Sequence, residues 1–222
     1  MRRALDLSTY LVADVASVPA GAVADIVDAA VTGGAGVVQV RGKELSAAEL
    51  LRLVEACAAR IDGRAALLVN DRVDVALAAR IAGTPVDGVH IGQSDLPADR
   101  TRALLGPDAI IGLSASRPEE LEPLRRMPPG TVDYLGVGAI RATPTKKDHP
   151  TPLGWEGFRG FAALAADLPC VAIGGVGSGD APDARRAGAA GLAVVRAICA
   201  ADAPAHAAAQ LRREWAQAGV AA

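Results

Sequence analysis

The chain has 222 residues, 51% of them hydrophobic and only 3% aromatic, with a formal net charge of −2. The near-neutral charge and the scarcity of stacking rings argue against a nucleic-acid partner. With so few aromatics the core must be built of Ala, Val, Leu and Ile, which suits parallel strands buried on both faces. One domain spanning 1–222 is expected, with its core at about 9–199 and a C-terminal helix at about 204–217.

No apolar run approaches the ~20 residues of a membrane span. The start, Met1-Arg2-Arg3, imitates the basic end of a secretion signal, but Asp6 and Asp14 interrupt any apolar segment behind it. Cys57, Cys170 and Cys199 stand at no metal-ligand spacing and read as small buried hydrophobes in a reducing compartment. A soluble cytoplasmic protein without membrane contact is the expectation. The sequence leaves a homo-oligomer open.

In chain order, a strand-then-helix rhythm recurs. Thr9 to Ala13 is apolar and β-rich, and Ala22 to Val31 has helical spacing. Val37 to Arg41 is a strand, and Ser46 is a good N-cap for a helix to Ile61. Ala66 to Asn70 precedes a helix through Ala79, and Gly88 to Gly92 precedes one from Pro97 to Leu105. Ile110 to Ser114 precedes a helix from Pro118 to Met127. Tyr134 to Gly138 is followed by a long polar loop and a helix from Trp155 to Ala166. Cys170 to Gly174 precedes Ala181 to Ala187, and Gly191 to Arg196 precedes a last helix from about Pro204 to Gln217. Eight β-then-α units imply parallel strands with right-handed crossovers and point to a closed α/β (β/α)₈ TIM barrel. A doubly wound open sheet is the runner-up, but no Gly-x-Gly-x-x-Gly follows the first strand.

In such a barrel the chemistry sits at the carboxyl ends of the strands, and polar residues collect there. The second strand ends in Gln39 and Arg41, with Lys43 just beyond, spaced by two and so on one face. Asn70 and Asp71 follow the third strand, Gln93 and Asp95 the fourth. Ser114 ends the fifth, Thr143, Thr145, Lys146 and Lys147 follow the sixth, and Arg196 ends the eighth. The chain has only three lysines, Lys43, Lys146 and Lys147, and all fall in two of these loops. Lys147 reads as a solvated side chain.

Gly174-Gly175-Val176-Gly177 after the seventh strand is a phosphate-cradle pattern, because glycines let backbone N–H groups approach an anion. The segment after the eighth strand, Arg196-Ala197-Ile198, sits where the same anion would touch a second helix start, so the phosphate-binding loops are those after strands seven and eight. Arg41, Lys43 and Lys146 form a second cationic group suited to a diphosphate, and an arginine within an apolar strand needs an anion to pair with. Asp71 and Asp95 could hold Mg²⁺, which takes one or two carboxylates alongside waters and phosphates, or could cap their helices. Gln39 and Asn70 would face inward and bind an uncharged heterocycle or a phosphate oxygen. His90 reads as a satisfied core histidine. No Ser–His–Asp or Cys–His arrangement is in view, which argues against covalent acyl chemistry.

These segments together resemble the thiamine-phosphate synthase family over Tyr10 to about Ile198. They are Val38-Gln-Val-Arg-Gly-Lys43, Val69-Asn-Asp-Arg72, Asp87-Gly-Val-His-Ile-Gly-Gln-Ser-Asp-Leu-Pro97, Ile111-Gly-Leu-Ser114, Asp133-Tyr-Leu-Gly-Val-Gly138, Thr143-Pro-Thr-Lys-Lys147, Ala172-Ile-Gly-Gly-Val176 and Ala193-Val-Val-Arg-Ala-Ile198. The resemblance implies that a pyrimidine diphosphate is held by Arg41, Lys43, Asn70, Ser114 and Lys146. Mg²⁺ would be on Asp71 and Asp95, and Gln39 on the pyrimidine ring. It implies that Thr143 and Thr145 orient the thiazole, whose phosphate sits on Gly175 and the backbone of Val195 and Arg196. Arg41, Lys43 and Lys146 are the implied catalytic cations. The chain departs from the family pattern at Ala139, where Pro is usual, at Arg141, where an aromatic is common, and at Arg196, where Ser is frequent. Three other readings compete. A thiazole tautomerase on the same barrel would need no diphosphate site, and a Schiff-base aldolase would need a lysine that strands five to eight lack. A non-catalytic binder of thiamine precursors would give no turnover.

Overall fold

A computed structural model describes residues 5–18, 21–143, 151–165 and 167–219. Eight parallel strands pair in strict chain order: β1 (Thr9–Asp14), β2 (Val37–Arg41), β3 (Ala66–Asn70), β4 (Gly88–Ile91), β5 (Ile110–Ser114), β6 (Tyr134–Gly138), β7 (Cys170–Ile173) and β8 (Gly191–Val194). β8 pairs back onto β1, so the barrel is closed and the open-sheet alternative is excluded. The helices are α1 (Val23–Thr32), α2 (Ala47–Ile61), α3 (Val73–Ile81), α4 (Ala98–Leu105), α5 (Leu121–Arg125), α6 (Gly154–Leu164), α7 (Ala181–Arg186), α8 (Arg196–Cys199) and α9 (Pro204–Ala218). None of them is long and apolar enough to cross a membrane.

Local chemistry explains some of the boundaries. Ser46 caps α2 as expected: its hydroxyl accepts from the Glu49 N–H while the Glu49 carboxylate accepts from the Ser46 N–H. The fifth helix is shorter than its pattern predicts. A 3₁₀ turn at Pro118–Glu120 leads into α5, which stops at Arg125 just before Pro128 and Pro129. β8 also ends early. Val195 leaves the strand with φ −107 and ψ −82, and Arg196 starts α8 instead of ending the strand.

Each strand alternates sides with period two. Leu11, Val38, Val40, Leu67, Val69, Val89, Ile111, Leu135 and Leu192 face the helices and join the main core. Tyr10, Val12, Val37, Leu68, Ile110, Tyr134, Val171 and Ala193 form a second, smaller core inside the barrel. Two interior glycines make room for rings: a Cβ on Gly112 would lie 2.1 Å from the Tyr134 ring, and one on Gly136 2.8 Å from His90. Inside the barrel, then, small residues on β5 and β6 complement large polar ones on β4 and β6.

The closing seam is equally tight. A Cβ on Gly191 would fall 1.6 Å from the Leu7 carbonyl oxygen, a backbone atom with nowhere to go. Gly191→Ala is expected to destabilise the protein by about 3 kcal/mol or more, at the upper end of overpacking costs. Urea unfolding checks this, and an unchanged midpoint would mean that the β8–β1 seam yields.

Candidate active site

A cavity of about 750 Å³ opens at the carboxyl ends of the strands. Gln39, Arg41, Lys43, Asn70, Asp71, Asp95, Ser114, Thr143, Gly175, Val195 and Arg196 all line it. Thr145 and Lys146, also expected here, lie outside the described residues, as does Lys147.

One side is charged. Arg41 on β2 pairs with Asp14, its register partner at the end of β1, and the two side chains are 18% and 3% exposed. The anion that Arg41 was expected to require is therefore supplied in part by the protein. Lys43 Nζ lies 3.5 Å from Asp71 Oδ2. Asp71 adopts a left-handed backbone (φ 59), and α3 is capped by no side chain, so the capping alternative for Asp71 does not hold. Asp95 accepts from the Gly92 N–H at 2.7 Å, which braces the loop after β4. The Asp95 carboxyl lies close enough to that of Asp71 to act on it directly. Burial, and then the neighbouring Asp95 charge, raise the Asp71 carboxyl above its ordinary range, against Lys43 and the Asn70 amide. Two carboxyls so placed repel unless a proton or a cation lies between them.

The floor is neutral and continuous. Gln39 Nε2 donates to the Tyr10 hydroxyl at 2.6 Å, and that hydroxyl lies 2.7 Å from the Tyr134 hydroxyl. Tyr134 meets His90 Nδ1 at 2.9 Å, and His90 Nε2 meets Ser114 Oγ at 2.9 Å. This chain crosses from β2 through β1, β6 and β4 to β5. Desolvation pushes both phenols far up, so they stay protonated and neutral. His90 is satisfied, as its strand position suggested, and it also lies on the cavity floor.

The opposite side is backbone. Gly174 and Gly175 hold left-handed φ of 92 and 69 after β7, a conformation that costs glycine little. The N–H groups of Gly175, Val176, Arg196 and Ala197 donate to no other described residue. That leaves donors from two loops for an anion.

Tyr10, Asp14 and Tyr134 belong to the site and were not read from the sequence. Their signal was present: the chain has only two tyrosines, and both sit at inward positions of strands. Covalent catalysis by thiol is disfavoured, since burial pushes Cys57 up to about 12 and Cys170 and Cys199 up to about 11. No described strand carries a lysine for a Schiff base.

The model of the thiamine monophosphate synthase family matches residues 9–198. A thiamine-phosphate synthase of Corynebacterium efficiens is 49% identical over 176 residues, covering 79% of this chain and 81% of that one. One of Xanthobacter autotrophicus is 43% identical over 213 residues, covering 96% and 97%. The solved structure of a thiamine phosphate pyrophosphorylase from Pyrococcus furiosus superposes with a TM-score of 0.81 at 29% identity, over 96% of this chain and 98% of that one.

The Arg41–Asp14 pair carries a stability consequence. Arg41→Ala leaves the Asp14 carboxylate buried and unpaired, at an expected cost of about 3 kcal/mol. Asp14→Ala added to it should recover part of that loss. Denaturant unfolding of the three variants decides, and a loss below about 1 kcal/mol in Arg41→Ala would mean that solvent already screens the pair.

Proposed function

The chain belongs to the thiamine-phosphate synthase family, and we propose that its barrel mouth carries out that family's transfer with the residues described above. The reaction joins 4-amino-2-methyl-5-hydroxymethylpyrimidine diphosphate to 4-methyl-5-(2-phosphoethyl)thiazole, or to its carboxylate. It releases pyrophosphate, and CO₂ where the carboxylate is used. The observation that supports these roles is one cavity with Arg41 and Lys43 at one end, uncommitted backbone N–H groups at the other and a neutral hydrogen-bonding floor between them. An isomerase acting on a thiazole phosphate would need only one such end.

Arg41 and Lys43, with Lys146 outside the described residues, hold the diphosphate, and Asn70 and Ser114 donate to its oxygens. Gln39, fixed by Tyr10, contacts the pyrimidine. Thr143 and Thr145 orient the thiazole, and its phosphate sits on Gly175 and the backbone of Val195 and Arg196. Asp71 and Asp95 fit Mg²⁺: two mutually repelling carboxyls beside a diphosphate site are a donor set that a hydrated divalent ion satisfies. Among the described residues no cluster of three or more His, Cys, Asp or Glu is available, so phosphate oxygens and water would complete the coordination. When bound, Mg²⁺ supplies countercharge to the diphosphate.

The protein's own work is positional and electrostatic. The bond between the pyrimidine methylene and its diphosphate breaks while the cations neutralise the departing oxygens. The aminopyrimidine ring stabilises the resulting cation, and the thiazole nitrogen captures it. No side chain need form a covalent bond. We place the reaction in the cytoplasm, in keeping with three unpaired buried thiols.

The founding test mixes the protein with both substrates and Mg²⁺ and assays thiamine phosphate as fluorescent thiochrome. Metal-dependent product is expected, and none at saturating substrate sinks the proposal. Lys146→Ala should lower turnover by about 10²-fold or more with an unchanged circular dichroism spectrum. Asp71→Asn should lower turnover comparably. It should also raise the metal-free unfolding midpoint by about 2 °C, because it removes one of two repelling carboxyls. A variant that keeps near-normal turnover would remove Asp71 from the metal site.

A further inference from the structure

The loop that offers its N–H groups to the cavity is held from behind by an ion pair that does not touch the cavity. The Gly174 carbonyl accepts from the Arg141 backbone N–H at 3.0 Å, and the Gly175 carbonyl from Arg141 Nη1 at 3.0 Å. The Arg141 guanidinium also grips Asp180 with two prongs, Nη1 to Oδ2 at 2.9 Å and Nη2 to Oδ1 at 2.6 Å. Asp180 in turn accepts from the Gly177 N–H at 2.9 Å. Both ends of the Gly174–Gly177 loop are thus tied to one Arg–Asp unit. Gly174, Gly175 and Val176 line the cavity, whereas Arg141 and Asp180 do not.

Such a brace matters because of what it holds. Peptide planes flanked by glycines of positive φ can turn over at little steric cost. Turned one way they present N–H donors to the cavity, and turned the other way they present carbonyl oxygens, which repel an anion. The Arg141 backbone N–H takes the Gly174 carbonyl and its guanidinium takes the Gly175 carbonyl, and the N–H groups of Gly175 and Val176 stay uncommitted to any described residue. Asp180 is a further hazard to an anion. Its side chain is only 12% exposed behind the loop, and its negative charge needs the Arg141 guanidinium beside it.

We propose that Arg141 and Asp180 form a clamp that keeps the glycine loop in its anion-accepting orientation. Arg141 is on this view a positioning residue for the substrate that carries a single phosphate, without influence on the diphosphate end. The inference rests on the reading of this loop as the thiazole-phosphate seat. It adds to that reading a residue that acts through the loop from outside the cavity.

The test compares the wild type with Arg141→Gln, Asp180→Asn, the two together, and Arg141→Lys. For each, KM is measured separately for the thiazole phosphate and the pyrimidine diphosphate, and inorganic phosphate affinity is measured by calorimetry without turnover. Arg141→Gln should raise the thiazole-phosphate KM and weaken phosphate binding by about tenfold, the worth of a charge-assisted hydrogen bond. The KM for the pyrimidine diphosphate should stay within about twofold of the wild type, as befits a site with no shared contact. The double variant, which removes both charges, should recover part of the loss, and Arg141→Lys, which keeps the charge without the fork, should fall between. A defect of mere folding would instead lower turnover with both substrates, leave both KM values unchanged and grow in the double variant. Equal KM changes for the two substrates, or unchanged phosphate binding in Arg141→Gln, overturns the clamp. A wild type that binds phosphate yet makes no product would sink the assigned reaction and leave the clamp to be judged on phosphate affinity alone.

Discussion

With eight parallel strands and β8 paired back onto β1, side chains two apart on every strand must point into one shared interior. Everything polar at the strand ends follows from that closure. Asp14 and Arg41 come together because they are register partners on neighbouring strands. Tyr10 and Tyr134 come together because β1 and β6 face each other across a narrow interior, their ring centroids 5.9 Å apart. The same alternation sends Leu11, Val38, Val40, Leu67 and Val69 outward to the helices. A single register slip would exchange the two sets, so the site and the fold are specified by the same pattern.

Closure also forces the interior to satisfy its polar groups by itself. A buried phenol or amide without a partner costs about 1–3 kcal/mol, and here the partners are one another. The run from Gln39 to Ser114 uses five side chains from five strands, each meeting the next at 2.6–2.9 Å. Gly112 and Gly136 are part of the same arrangement, because any side chain there would displace the rings. The result is a fixed polar floor, on which a flat heterocycle can be oriented without reorganising the protein.

How much of this is legible in the sequence depends on the range of the interaction. The strands and the Ser46 cap are local and read directly from periodicity and capping chemistry. The candidate ligands at the strand ends are legible too, since polar residues in apolar strands stand out: every one that is described lines the cavity. What escapes is pairing across distance. Nothing in the spacing of Asp14 and Arg41 marks them as partners until β1 and β2 are aligned. Asp71 and Asp95 read together as Mg²⁺ ligands or each as a cap, and the sequence does not show that the Asp95 charge bears directly on Asp71. Arg141 and Asp180 are 39 residues apart, and in the sequence Arg141 is only a departure from the family pattern, with nothing to show that it bonds the glycine loop. The early end of β8 escaped as well, because Val195 is apolar and continues the strand pattern while its backbone does not.

The two ends of the cavity use different physics, and the proposed reaction explains the division. At the diphosphate end the substrate changes charge state as its bond breaks. Side-chain cations and a carboxylate pair fit for a divalent ion can strengthen their hold as that charge develops. At the other end the phosphate is a spectator whose charge is constant. It needs affinity and position only, which backbone N–H groups supply at fixed geometry. Backbone donors, however, are only as well aimed as the loop that carries them, and a loop of glycines has no stiffness of its own. The stiffness must come from neighbours, and Arg141 stacked over Trp155 at 5.8 Å and forked onto Asp180 is placed to provide it. The end that looks least dependent on side chains is in this way governed by two that never enter the cavity.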